Sequence, residues 1–138
     1  MMTAIIKKMK GRRGASAIEF AIILPVLLVI LIGTMEFGYV MFAKAVITNA
    51  SREGARTGIV FGTPRPGDAE IVQAVNNYCS NLIPSAAVTT QVIRAGSDPG
   101  SSLTVRVNYL HNFWVLPNLP FGIAGPINLG AETVMRME

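Results

Sequence analysis

Residues 17–35 read AIEFAIILPVLLVILIGTM, and from Phe20 to Met35 the stretch carries no charge. At about 1.5 Å of rise per residue, this run with its flanks nearly matches the roughly 30 Å hydrocarbon layer of a bilayer. Directly before it stand Lys7, Lys8, Lys10, Arg12 and Arg13. A basic cluster on one side of a single apolar run places that side in the cytoplasm, so residues 1–14 are expected inside and everything past about residue 40 on the far side. A cleavable secretory signal has the same basic start, but its small-x-small cleavage site should follow the run. Here the run is followed by Glu36, Phe37, Gly38 and Tyr39 and by a continuing helical pattern.

Around this segment the chain is small. It has 138 residues, formal charge +4, 51% hydrophobic and 14% charged residues. That is too apolar for a disordered tail and too short for more than one modest domain besides the span. Residues 58–138 bury a limited core, which excludes the large enzyme folds. The positive charge belongs to the front end: past residue 14, seven basic residues face eight acidic ones. The basic residues there are scattered, without the clustered Lys/Arg surface that nucleic acid requires, so no nucleic-acid partner is expected.

Inside the span, Pro25 and Gly33 would be costly in a water-exposed helix, yet membrane helices tolerate both. Pro25 reads either as a kink or as a proline of no functional consequence. Glu19 at the edge of the run is costly unless it stays near the headgroups, is protonated or meets a positive partner. Glu36, at the opposite end, reads first as an interfacial residue.

The order Arg13-Gly14-Ala15-Ser16-Ala17-Ile18-Glu19-Phe20, followed by the apolar run with Pro25, resembles the processing region of the TadE-like family. Its members are minor pilins, or pseudopilins, of the tight-adherence Flp pilus system, a branch of the type IV pilus and type II secretion group. The resemblance continues through Glu36-Phe37-Gly38 and through Asn49-Ala50-Ser51-Arg52-Glu53-Gly54-Ala55-Arg56, is weak through the middle of the chain, and reappears over residues 131–138. It implies cleavage by a prepilin peptidase at Gly14–Ala15, with Glu19 fifth in the mature chain. Phe20 departs from the tyrosine of the major Flp pilin and matches the minor-pilin form. The small residues 14–17 suit a protease that holds an extended backbone closely, and the cut removes all five leader charges. A neighbouring subunit's Glu19 can then pair with the new Ala15 amine in apolar surroundings, where an unpaired charge is expensive.

Past the span, residues 36–57 contain no proline. Lys44, Thr48, Arg52 and Arg56 line one polar stripe, while Tyr39, Ala43, Val46, Ile47, Ala50 and Gly54 lie largely opposite. The helix therefore continues as an amphipathic spine. Two uses of its apolar face stay open: close helix contacts in an assembly, for which Pro25, Glu36, Gly38 and Gly54 are the candidate packing positions, and packing on the chain's own exported domain. Glu53 with Arg52 or Arg56 makes a surface pair worth only about 0–1 kcal/mol.

Gly58, Gly62, Pro64, Pro66 and Gly67 end that helix. Ile71, Val72, Val75, Tyr78, Cys79 and Leu82 then recur at helical spacing, predicting a short helix over 68–83 that stops before Pro84. Alternation over 88–92 and 103–109 predicts two strands, an antiparallel pair joined by the turn-rich 95–102 segment, and 127–136 predicts a third strand. The apolar stretch from Phe113 to Phe121 reads as a cover for the sheet or as an exposed contact patch. Cys79 is the only cysteine, so no intrachain disulfide forms; it reads as a buried small hydrophobe or as the site of an intermolecular bond. With His111 the only histidine, neither metal-ligand spacing nor a Cys/His nucleophile can be argued, and no enzymatic activity or cofactor is expected.

The expected fold is α+β: a pilin-like long N-terminal transmembrane and periplasmic helix, then a short helix and a small antiparallel sheet. The expected organisation is a cytoplasmic prepilin leader (1–14), the span with its amphipathic continuation (15–57) and an exported domain (58–138). With the resemblance, this implies a minor pilin needed for pilus assembly, surface adherence and biofilm growth, held in the inner membrane or carried into a cell-surface pilus. Its implied partners are the prepilin peptidase, other minor pilins, the major Flp pilin, the inner-membrane assembly platform and the lipid bilayer. The alternative is a single-pass inner-membrane scaffold or binding component of the secretion machinery that never enters the filament.

Overall fold

The computed structural model describes residues 2–60, 62, 64–84, 87–96, 98–114 and 125–137, with side chains from residue 14 onward. Five elements follow in order: α1 (Met2–Ile59), α2 (Asp68–Ser80), β1 (Val88–Arg94), β2 (Ser102–His111) and β3 (Ile127–Arg136). The expected α+β architecture is observed. The chain divides into two compact units, Met1–Phe37 and Gly38–Glu138, and α1 contributes to both.

The first unit consists of α1 alone. Helix continues through Gly14–Ala15 and through Pro25, where the missing N–H leaves the carbonyl of Ala21 without its usual donor. Thr34 Oγ donates back to the carbonyl of Ile30 at 2.8 Å, so its hydroxyl is satisfied inside the helix and is compatible with apolar surroundings.

The second unit is a three-stranded antiparallel sheet of order β1-β2-β3, with β2 central. β2 alternates strictly: Leu103, Val105, Val107 and Tyr109 are buried, while Arg106 and Leu110 on the other face are exposed. Onto the buried face pack Ala43, Val46, Ile47, Ala50 and Ala55 of α1 and Ile71, Val75 and Cys79 of α2. The apolar face of the helix over residues 40–58 therefore serves the chain's own core. Two glycines make this possible. A Cβ at Gly54 would lie 2.6 Å from Val75 Cγ2 and 3.4 Å from Val105 Cγ1, and one at Gly58 would collide with Leu103 Cδ2 and Ile71 Cδ1.

Polar links fasten α1 to β3. The Ser51 hydroxyl lies 2.7 Å from that of Thr133 and donates to the carbonyl of Thr48, while Lys44 Nζ donates to the carbonyl of Gly130. α2 starts at Gly67, whose carbonyl accepts from the N–H groups of Glu70 and Ile71 and whose own N–H donates to the Glu70 carboxylate at 3.1 Å. Arg94 of β1 braces this start, donating to Asp68 at 2.7 Å and to the carbonyl of Pro66 at 2.8 Å. α2 is shorter than its periodicity predicts. It closes at Ser80, because the N–H groups of Leu82 and Ile83 both turn back to the carbonyl of Cys79 and Pro84 disfavours helix at the residue before it. Leu82, in the predicted apolar set, is accordingly exposed, whereas Ile83 joins the core.

Candidate processing and assembly segment

The candidate residues Gly14, Ala15, Glu19, Phe20, Pro25, Glu36, Gly38 and Gly54 all lie on α1, strung along its length and not gathered into a pocket. From residue 14 to residue 23 every side chain is exposed. Ile18 is 65% exposed, Phe20 60% and Ile22 69%. Large apolar side chains left open on all sides of one helix are a structure for lipid or for neighbouring helices, not for water. Among the described residues this is the one helix long and apolar enough to cross a membrane.

The two carboxylates bracket that segment. Glu19 and Glu36 are seventeen residues apart on a continuous helix, roughly 26 Å along its axis. This approaches the 30 Å hydrocarbon thickness, so both can sit near headgroups when the segment between them spans the bilayer. Gly14 and Gly38 each have nothing within 4 Å of an added Cβ, in contrast to Gly54, which lies under α2. Gly38 and Gly54 thus differ in kind: the first is open to any neighbour, the second is already used inside the chain.

Gly14–Ala15 is helical, and a peptidase that needs extended backbone has to unwind it. Glycine lowers the cost, being about 1 kcal/mol less favourable than alanine in a helix interior. Among the described residues, nothing lies within 4 Å of a Cβ added at Gly14.

Sequence reasoning did not identify the aromatic group around His111. His111, at the end of β2, is buried, with its ring 5.2 Å from that of Tyr39, 6.1 Å from Tyr109 and 5.1 Å from Phe113. Its Nε2 has no hydrogen-bond partner among the described residues. The Tyr39 and Tyr109 hydroxyls lie 3.5 Å apart. Burial first, and the Tyr39 hydroxyl second, push the Tyr109 phenol above its ordinary range. Trp114, three residues on, leans on Tyr39 with ring centroids 6.4 Å apart while remaining 81% exposed. The rest of the 113–121 stretch lies outside the described residues. The signal for this cluster was an aromatic four residues past the apolar run and a second aromatic group flanking His111; their proximity is non-local.

Elsewhere the chemistry is sparse. Cys79 is buried, and burial raises its thiol above the ordinary range, which makes it a poor nucleophile. Among the described residues no three His, Cys, Asp or Glu side chains gather into a metal site. An open pocket beside α2 is lined by Arg65, Pro66, Gly67, Asp68 and Arg94, and the Arg94–Asp68 pair that walls it is the structural brace already described.

Comparison with curated proteins and with solved structures gives no match. A family comparison does: the model described as TadE-like protein matches residues 14–56. That match starts on the glycine before the proposed scissile bond and ends three residues short of the end of α1, leaving the short helix and the sheet outside it. Over residues 14–56, the span and its amphipathic continuation, this chain is similar to the TadE-like family.

Proposed function

We propose that this protein is a minor pilin, or pseudopilin, of a tight-adherence Flp pilus, cut by a prepilin peptidase and used in assembling a filament that holds cells to surfaces. The observation that carries the reading is that the family match begins at Gly14, where the exposed apolar part of α1 follows the basic residues 7–13. Cleavage at Gly14–Ala15 removes Lys7, Lys8, Lys10, Arg12 and Arg13, the cytoplasmic anchor of the span. The mature helix keeps one amine at Ala15. Glu19 of a neighbouring subunit neutralises that amine as the helices leave lipid for a bundle, where an unpaired charge costs several kcal/mol. The exported α+β unit travels with the helix as a folded head. Its role is structural, and the partners are the peptidase, the assembly platform, the major pilin and other minor pilins.

A second reading, an inner-membrane scaffold that never enters the filament, draws on one observation. Ala43, Ala50, Gly54, Ala55 and Gly58 are buried in the chain's own core, so that part of the helix offers few small residues to a neighbour. Shearing pili from cells and probing the sheared and membrane fractions separates the two. The minor-pilin reading expects the mature chain in sheared filaments, and expects Glu19→Gln to be cut normally yet depleted from them. Exclusive retention of the wild-type chain in the inner membrane overturns that reading in favour of the scaffold.

A further inference from the structure

We infer that the cut makes Ser16 and Glu19 into the cap of the mature helix: the Ser16 hydroxyl accepts from the Glu19 N–H, and the Glu19 carboxylate reaches back to accept from the Ser16 N–H. This rests on the reading that a prepilin peptidase cuts at Gly14–Ala15. In the uncut chain α1 runs unbroken from Met2 to Ile59, so the N–H groups of residues 15–18 point to the carbonyls of Gly11, Arg12, Arg13 and Gly14, four residues back. Cleavage takes all four carbonyls away. The new end then has bare donors at the edge of an apolar segment, where an unsatisfied backbone group is expensive.

The order Ser16-Ala17-Ile18-Glu19 answers that need. A serine followed three positions later by a glutamate makes a capping box, in which each side chain takes the other residue's backbone N–H. The spacing falls where the cut requires it, with the serine second in the mature chain and Ala15 before it to carry the amine. As Ser16 turns out of the helix, the Ala15 carbonyl releases the Glu19 N–H and the serine hydroxyl takes it. Both residues are exposed, one turn apart on α1. The glutamate half of the device is visible in α2, where Glu70, three residues after Gly67, accepts from the Gly67 N–H at 3.1 Å. The uncut α1 has no acidic residue in its first turn, whereas the mature helix has Glu19 there, where the helix dipole favours negative charge. The bond from Glu19 to a neighbour's Ala15 amine is a different one and coexists with the cap, because an ionised carboxylate has two accepting oxygens. Chemistry separates the two roles: the cap needs a side-chain oxygen, which glutamine also carries, whereas the ion pair needs the charge.

The test follows the isotope-labelled full-length protein by nuclear magnetic resonance in phosphatidylethanolamine/phosphatidylglycerol bicelles, before and after cutting by purified prepilin peptidase. Intact mass verifies the cut separately. On cutting, the Ser16 carbon shifts are expected to pass from helical to extended values. In the cut chain the Glu19 amide should exchange with solvent about fivefold slower than in Ser16→Ala, and the Ser16 amide about fivefold slower than in Glu19→Ala. Ser16→Thr and Glu19→Gln keep this protection, and no variant changes either amide in the uncut chain. A cut chain whose Ser16 stays helical, or whose two amides exchange as fast as in the alanine variants, overturns the cap while leaving the processing reading intact. An equal loss in the uncut chain assigns the effect to the helix interior and overturns the cap too. If an alanine variant resists cutting, the Ser16 carbon shifts of the unsubstituted chain decide alone. A wild-type chain that the peptidase leaves whole removes the cleavage, and the cap falls with it.

Discussion

Replacing Gly54 with alanine tests whether the helix beyond the membrane is committed to its own domain. The added Cβ would lie 2.6 Å from Val75 Cγ2 and 3.4 Å from Ile71 Cγ2 and Val105 Cγ1, closer than carbon atoms tolerate at the first contact. Overpacking of this kind costs about 1–3 kcal/mol. Alanine regains about 1 kcal/mol of helix propensity, so the net effect at Gly54 is a loss of about 0–2 kcal/mol. Gly38→Ala gains the same propensity but meets nothing within 4 Å. The propensity term cancels between them, and Gly38→Ala is expected to be more stable than Gly54→Ala by about 1–3 kcal/mol. At about 4–8 °C of midpoint per kcal/mol for a unit of this size, thermal unfolding of the full chain in detergent, followed by near-ultraviolet circular dichroism, resolves the difference. Val75→Ala, which removes the colliding methyl, should cost about 1–3 kcal/mol alone and less in the Gly54→Ala background, a coupling of about 1 kcal/mol. Equal stability of the two alanine variants, or zero coupling, refutes the placement of α1 on α2.

Other expectations follow from the same packing. Ser51→Ala breaks the part-buried hydroxyl pair with Thr133 and should cost about 1 kcal/mol, whereas Ser51→Ala/Thr133→Val removes both partners and should recover most of that in urea titrations. His111→Phe removes a buried nitrogen that no described residue satisfies; unfolding should find the variant as stable as the parent or more so, and a loss above about 2 kcal/mol would show a partner for Nε2. The raised Tyr109 phenol and Cys79 thiol stay protonated in the folded state at pH values where their unfolded counterparts ionise. The stability they contribute is complete below the unfolded values and declines as pH climbs above about 9–10 toward the folded ones. The unfolding midpoint should therefore drop in that alkaline window, and Tyr109→Phe should remove the latest part of the phenolate absorbance change. Glu132→Gln breaks the exposed Arg106 pair, 2.7 Å in the fold, and should shift the midpoint by less than the equivalent of about 1 kcal/mol.

What could be read from the sequence was what is local. The charge-free run and the basic cluster mark α1; alternation marks β2 and the start of β1; and the third strand emerges over 127–136 despite Gly130, whose carbonyl is taken by Lys44. Periodicity also identified the apolar side of residues 39–54, but a hydrophobic stripe does not name what covers it. Gly54 looked equally suited to a neighbouring subunit and to the chain's own exported domain, and only the fold placed it under Val75. The helix stop at Ser80 escaped because apolar spacing continues to Leu82 while the backbone turns on the carbonyl of Cys79. His111 read as a solitary histidine because its companion Tyr39 is 72 positions away, and ring contacts across that distance leave no periodic trace. The candidate cleavage and pairing residues Gly14, Ala15, Glu19 and Phe20 rest on the family resemblance that their order carries and not on the fold.

The central claim, a processed pilin-like subunit, turns on one bond. Intact mass and N-terminal peptide sequencing of the protein from membranes of cells with and without the prepilin peptidase test it most directly. The account predicts a chain beginning at Ala15 in cells that have the peptidase and an uncut chain in cells that lack it. A chain beginning at Met1 or Met2 in both would contradict it.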